Sequence, residues 1–141
     1  MPGSVPALTR DEIESFAGKE YHEIAFQILH KFLENEIGYK ELMALCRDAY
    51  NFGIPLEHVT GNCYILRLDQ GPTASFKDFA ARMMARLMNH FILSEQKHYT
   101  ILTATSGDTG SAVASAFHGL DNIDVIILFP HDEVSDTQRK Q

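Results

Sequence analysis

No stretch of this sequence reaches the roughly 18 consecutive apolar residues that a membrane span needs. Its first residues, MPGSVPALTRDE, lack the basic and apolar regions of a secretory signal. No membrane partner is therefore expected. The seven histidines never stand in H-x-x-x-H or H-E-x-x-H spacing, so the usual histidine metal sites are excluded and no metal is expected. Cysteine is scarce as well. Cys46 and Cys63 lie far apart with no C-x-x-C partner, which fits reduced, partly buried thiols of a cytoplasmic protein. Positive charge is also in short supply: 12 Lys and Arg against 19 Asp and Glu leave a net charge of −7. Nucleic-acid surfaces usually need a basic face, so no nucleic-acid partner is expected. There is no internal repeat, low-complexity tract or obvious flexible linker.

What is present falls into two textures. At 141 residues and 45% hydrophobic, the chain can build a real core, as one domain or as a piece of something larger. Residues 1–55 read as a helical N-terminal region. Thr9 with Glu12 three residues on has capping-box spacing. In YHEIAFQILHKFLENE, Ile24, Ala25, Ile28, Leu29, Phe32 and Leu33 recur with helical period, and in YKELMALCRDAYNF so do Leu42, Met43, Leu45, Cys46 and Tyr50. From residue 56 to 141 the pattern becomes α/β. LEHV and CYILRL are short β-prone runs around Thr60-Gly61-Asn62, a tight-hairpin signal. A long helix follows, with Phe79, Met83, Leu87 and Phe91 expected on its buried face. Then come strand YTILTAT, helix DTGSAVASAFHG closed by Gly119, and the nearly all-apolar strand DVIILF. Continuous apolar strands alternating with helices predict a parallel sheet covered by helices on both faces. The tail VSDTQRKQ reads as the start of another helix. Three or four strands fall short of the roughly five or six of a doubly wound sheet, so the α/β part is expected to be a partial lobe, truncated at its C-terminus.

Two loops carry the chemistry. The first is GPTASFKDFAAR, residues 71–82, in which Ser75 is expected as N-cap, Asp78 as the capping-box acid, and Lys77 in the first helical turn. The bland reading of Lys77 is a solvated lysine whose stem lies over Phe76. The functional reading starts from its odd position. A helix N-terminus and any burial disfavour an ammonium, leaving an amine that can attack a carbonyl. The second loop is TATSGDTGSAV, residues 103–113, following a strand and opening a helix. Free backbone N–H groups with Thr105, Ser106, Thr109 and Ser111 would form an anion cradle; alternatively this is a capped helix with no ligand. G-x-x-x-x-G-K-[ST] does not occur, which excludes a nucleotide P-loop. Asp108-Thr109-Gly110-Ser111 matches the D-T-G-S of aspartic proteases, but those enzymes are all-β and this segment reads as helix. If both loops end strands about thirty residues apart, as in a βαβ unit, an amine and an anion site come together. That pairing suits a carbonyl cofactor joined to an amino-acid substrate, with pyridoxal phosphate the obvious choice.

GPTASFKDFAARMMA and ILTATSGDTGSAVASAFHGL resemble the paired signatures of the threonine synthases, which are fold-type-II pyridoxal-phosphate enzymes. The resemblance is dense from about residue 62 to 130 and looser before it. It implies that the chain is the N-terminal region and part of the first lobe of such an enzyme, which converts O-phospho-L-homoserine and water to L-threonine and phosphate. It further implies that Lys77 forms the Schiff-base link to pyridoxal 5'-phosphate and afterwards shuttles protons at the substrate's Cα and Cβ. By the same resemblance, Thr105, Ser106 and Thr109 receive the substrate carboxylate and Asp108 faces the cofactor. Related enzymes often have Asn at the last of these positions, and a carboxylate only accepts hydrogen bonds, so Asp108 should not itself bind an anion. Arg82 matches a family arginine and stands either as a contact to the substrate phosphate or as a structural ion pair. The sequence departs from the family at Asp132 and Glu133, where Gly and Lys are usual. No second glycine-rich loop for the cofactor phosphate is present, so the chain alone is expected to lack most cofactor affinity and activity. Two rival readings remain. One is another fold-type-II enzyme, a serine/threonine dehydratase or a β-replacement synthase. The other is a non-catalytic relative that only binds.

Overall fold

A computed structural model describes residues 4–95, 97–105, 107–130 and 134–140. Ser106, Asp132 and Glu133, singled out above, lie outside the described residues. The chain divides into two compact units, the first ending at Asn51 and the second beginning at Phe52.

The first unit is helical throughout: α1 (Arg10–Glu14), α2 (Tyr21–Leu33) and α3 (Tyr39–Ala49). The Thr9–Glu12 capping box forms as the sequence predicts. The Glu12 N–H donates to Thr9 Oγ1 at 3.3 Å, and Glu12 Oε2 accepts from the Thr9 N–H at 2.7 Å. Helices α2 and α3 pack together through Phe26, Leu42, Cys46 and Ala49, all buried. Phe26 is absent from the expected apolar set yet is its most buried ring, standing edge-on to Tyr39 at 4.6 Å between centroids. Phe32, which was expected in the stripe, is exposed.

The second unit contains β1 (Leu56–Thr60), β2 (Cys63–Leu66), α4 (Asp78–Glu95), β3 (Tyr99–Ala104), α5 (Asp108–Phe117), β4 (Ile123–Leu128) and α6 (Asp136–Lys140). Strands β1 and β2 form the expected antiparallel hairpin, with Thr60 facing Cys63 across Gly61-Asn62. Gly61 has φ +53°, a left-handed value that glycine adopts at little cost. Arg67 reinforces the hairpin by bonding Asp69 through two nitrogens, at 2.8 and 2.7 Å, and Glu57 through a third at 2.8 Å.

Strands β3 and β4 pair in parallel, from Tyr99 opposite Ile123 to Ala104 opposite Leu128, and α5 is the crossover between them. Helix α5 ends before Gly119, whose φ of +78° stops it as expected. The hairpin and this parallel pair are separate two-stranded sheets. The expected βαβ unit spanning both loops is thus corrected: the unit present is β3–α5–β4, and β2 does not pair with β3.

The parallel pair also departs from the prediction of two covered faces. Tyr99, Ile101, Ile123 and Val125 pack into the helical core, whereas Leu102, Ile126 and Leu128 on the opposite face are exposed within this chain. The alternation follows from the strand period of two: only one face has helices against it.

Helix α4 buries a different face from the one predicted. Ala81, Ala85, Met88 and Ile92 pack against Ala112, Val113, Ala116 and Phe117 of α5, while Phe91 is 40% exposed. Two helices meeting along alanines approach closely, and the larger stripe is displaced to the side. The Arg86 guanidinium ties the two together by donating to the Ala116 carbonyl at 3.2 Å, near the negative end of α5.

Candidate active site

Only residues 96–98 join α4 to β3, so the C-terminal end of α4 sits by the amino end of the strand. Helix α4 therefore starts on the side of the sheet toward which β3 and β4 run. Helix α5 starts there too. An added Cβ at Gly110 would lie 2.6 Å from Thr105 Cγ2 and 3.0 Å from Ile127 Cγ2, which fixes the first turn of α5 over the carboxyl ends of both strands. The two helix starts that carry the chemistry-bearing loops thus share one side, although the two loops do not end strands of one sheet.

In the lysine loop the expected capping box is replaced by another arrangement. The Ser75 hydroxyl accepts from the Lys77 N–H at 3.3 Å. Asp78 reaches back five residues. Its carboxylate accepts from the Thr73 N–H at 2.9 Å and from the Thr73 hydroxyl at 2.8 Å, and the residue is 0% exposed. The Lys77 carbonyl accepts the Ala81 N–H at 2.9 Å, which puts Lys77 in the N-cap position, one residue before the first turn. Ala74 has φ +54°, a left-handed value that costs an alanine about 1 kcal/mol. The loop is therefore held in a shape the chain would not adopt by itself.

Lys77 is half-buried, with Nζ 4.0 Å from the centroid of the exposed Phe76 ring. This is the stem-over-ring arrangement of the bland reading, and it keeps the amine at the mouth of the loop. Phe52, which the sequence gave no reason to single out, stands edge-on to Phe79 at 5.3 Å and lies 5.7 Å from the Arg82 guanidinium carbon. Arg82 is 8% exposed and sits one turn past Asp78 on α4.

In the second loop the Thr105 N–H pairs with the Leu128 carbonyl at 2.9 Å, and its hydroxyl accepts the Gly107 N–H at 3.2 Å. Gly107 is the N-cap of α5 and offers no side chain to cap it. The positive end of α5 is thereby left without the side-chain acceptor that most helices carry. Thr109 is partly buried, Ser111 buried and Asp108 exposed in the first turn. Residues 108–117 are helical, so the D-T-G-S string is not a protease strand.

These residues fit an aldehyde-bearing anionic group. One half-buried amine and one helix end lacking a side-chain cap, beside hydroxyl-bearing Thr105 and Thr109, lie on the same side of the sheet. Among the described residues, no three or more His, Cys, Asp or Glu side chains cluster so as to hold a metal ion. No helix among them is long and apolar enough to cross a membrane. An open cavity in the first unit, lined by Leu8, Glu12, Phe16, Phe26, Gln27, His30 and Lys31, includes neither loop.

The family model described as pyridoxal-phosphate dependent enzyme matches residues 20–141. The chain belongs to that family. Its cofactor is accordingly pyridoxal phosphate. Threonine synthase from Pseudomonas aeruginosa is 36% identical over 146 residues, covering 100% of this chain and 31% of its own length. The Escherichia coli threonine synthase is 40% identical over 140 residues, with 99% and 32% coverage. Among solved structures, pyridoxal-phosphate-bound threonine synthase from Brucella melitensis superposes with a TM-score of 0.91 at 38% identity, covering 99% of this chain and 31% of that one. The chain thus spans about a third of the length of the curated relatives it matches.

Proposed function

We propose that this chain supplies the lysine-bearing third of a threonine synthase, which converts O-phospho-L-homoserine and water to L-threonine and phosphate. The observation that carries the reading is the shared side of the two loops: the Lys77 amine at the start of α4 and the open N-terminal end of α5 face one working side of the unit. Near-complete coverage by threonine synthase relatives supports it.

When bound, pyridoxal phosphate supplies an electron sink that stabilises negative charge beside an amino group. Lys77 would hold it covalently through Nζ and, when released, would take and return protons at the substrate's Cα and Cβ. Thr105, Ser106 and Thr109, with the first N–H groups of α5, would orient the substrate carboxylate. Asp108 would face the cofactor as an acceptor only. Arg82 would neutralise the substrate phosphate. Its burial restricts that role to a phosphate brought down onto the start of α4.

The test uses the full-length protein incubated with pyridoxal phosphate, reduced with borohydride and digested. The label is expected on the peptide containing Lys77, and Lys77→Ala should lose both the label and the visible absorption band. A label on another lysine would overturn the assignment. The active protein should release phosphate and form threonine from O-phospho-L-homoserine. Formation of an oxo acid from serine or threonine, without that phosphate release, would favour a dehydratase instead.

A further inference from the structure

We propose that Asp78 is a positioning residue for Lys77, acting through Thr73 and Gly71 to fix where the amine emerges; this rests on the reading of Lys77 as the cofactor lysine. Four observations converge on it. The Asp78 carboxylate is fully buried, and both of its oxygens accept hydrogen bonds from one residue, Thr73, at 2.9 and 2.8 Å. Gly71 packs directly on this carboxylate: an added Cβ would stand 2.8 Å from Asp78 Cβ and 2.9 Å from its Cγ. The Ala74 N–H closes a turn onto the Gly71 carbonyl at 3.0 Å, and Ala74 takes up the left-handed backbone. Finally, the Asp78 N–H returns to the Ser75 carbonyl at 3.0 Å while the Lys77 N–H bonds the Ser75 hydroxyl.

Residues 71–78 therefore form a closed ring of bonds, and Lys77 is its last residue before the ring is locked. A buried carboxylate that accepts two bonds from a single threonine has no further oxygen to offer a ligand. Its chemistry is spent on backbone shape, and the residue whose direction that shape decides is its neighbour, Lys77. Without Asp78, the Thr73 N–H and hydroxyl would be left unpaired in a part-buried site, and nothing would hold Ala74 in its disfavoured conformation.

The experiment compares Asp78→Ala, Asp78→Asn, Thr73→Ser and Thr73→Val in the full-length protein. Three readouts are taken: half-saturation by pyridoxal phosphate, position of the visible absorption band, and thermal midpoint. Asparagine can accept the Thr73 N–H and donate to its hydroxyl, and serine keeps both donors. Both should stay within about threefold of the parent in half-saturation. Asp78→Ala and Thr73→Val should weaken it about tenfold or more and shift the band. Lower thermal midpoints with unchanged half-saturation and band position would refute a positioning role, leaving a purely structural one. If Asp78→Ala does not fold, the Thr73 pair decides the matter by the same criteria. Lys77→Ala separates the two levels. If it keeps its borohydride-fixed label, the reading of Lys77 fails. If it loses the label while Asp78→Ala and Thr73→Val bind normally, only the role of Asp78 fails.

Discussion

Gly110→Ala tests the packing that brings the second loop to its place. In an ordinary helix, replacing glycine by alanine stabilises by about 1 kcal/mol. Here the new methyl would sit 2.6 Å from Thr105 Cγ2 and 3.0 Å from Ile127 Cγ2. Both neighbours are branched at Cβ and stiff about χ1, so neither methyl can swing aside cheaply. The start of α5 must then lift from the strands, straining the Gly107 N–H bond to Thr105 Oγ1. Overpacking of this kind costs about 1–3 kcal/mol, which outweighs the gain in helix propensity and leaves a net loss of about 1–2 kcal/mol. Urea unfolding of the parent, Gly110→Ala, Thr105→Ser and the double variant provides the measurement. Serine keeps the hydroxyl that accepts from Gly107 and removes only the offending methyl. The double variant should therefore be less destabilised than the sum of the singles by about 1 kcal/mol. Ala114→Gly, at an exposed position of the same helix, should cost about 1 kcal/mol and calibrates the propensity term. A stabilised Gly110→Ala, or strict additivity with Thr105→Ser, would refute the close approach of α5 to the sheet.

Two further outcomes follow from the first unit. The Lys31 ammonium, and then the Thr9 N–H, hold the Glu12 carboxyl down at about 2 from its ordinary 4.5. The folded state binds that proton more weakly than the unfolded chain, so the stabilisation is complete above about pH 4.5 and lost as pH falls toward about 2. Glu12→Gln should flatten the acid limb of thermal midpoint against pH in that window, and identical acid slopes for parent and variant would refute the pairing. Burial pushes the Cys46 thiol up to about 11, whereas Cys63 is exposed on β2. A disulfide reagent at neutral pH should titrate one thiol quickly and the second only on unfolding. Two thiols reacting at equal rates in the folded protein would contradict the burial of Cys46.

The legible features depend on near neighbours in the chain. Thr9 finds Glu12 three residues away, Gly61-Asn62 closes a two-residue hairpin, and Gly119 ends α5 with a positive φ, because each needs only local geometry. The strings SFKDFAAR and TATSGDTGSAV likewise pointed to the cofactor family without any structure. What failed was long-range. Phe79, Met83, Leu87 and Phe91 outweigh Ala81 and Ala85 in any hydrophobic pattern, yet the alanines are buried because α5 arrives along them. Ser75 and Asp78 have capping spacing, but the carboxylate finds better donors in Thr73 once Gly71 opens space for it.

By itself the sequence determined the helical first half, the α/β second half, the lysine with its aromatic neighbour and the glycine-rich helix start. Period, caps and turn residues act over a few positions, so they can be read in one dimension. Tertiary structure alone decided that β2 leaves β3 unpaired, that the parallel pair is covered on one face, and that Asp78 turns inward behind Lys77. Those outcomes depend on which surfaces meet across tens of residues, where side-chain volume and hydrogen-bond competition outweigh local preference.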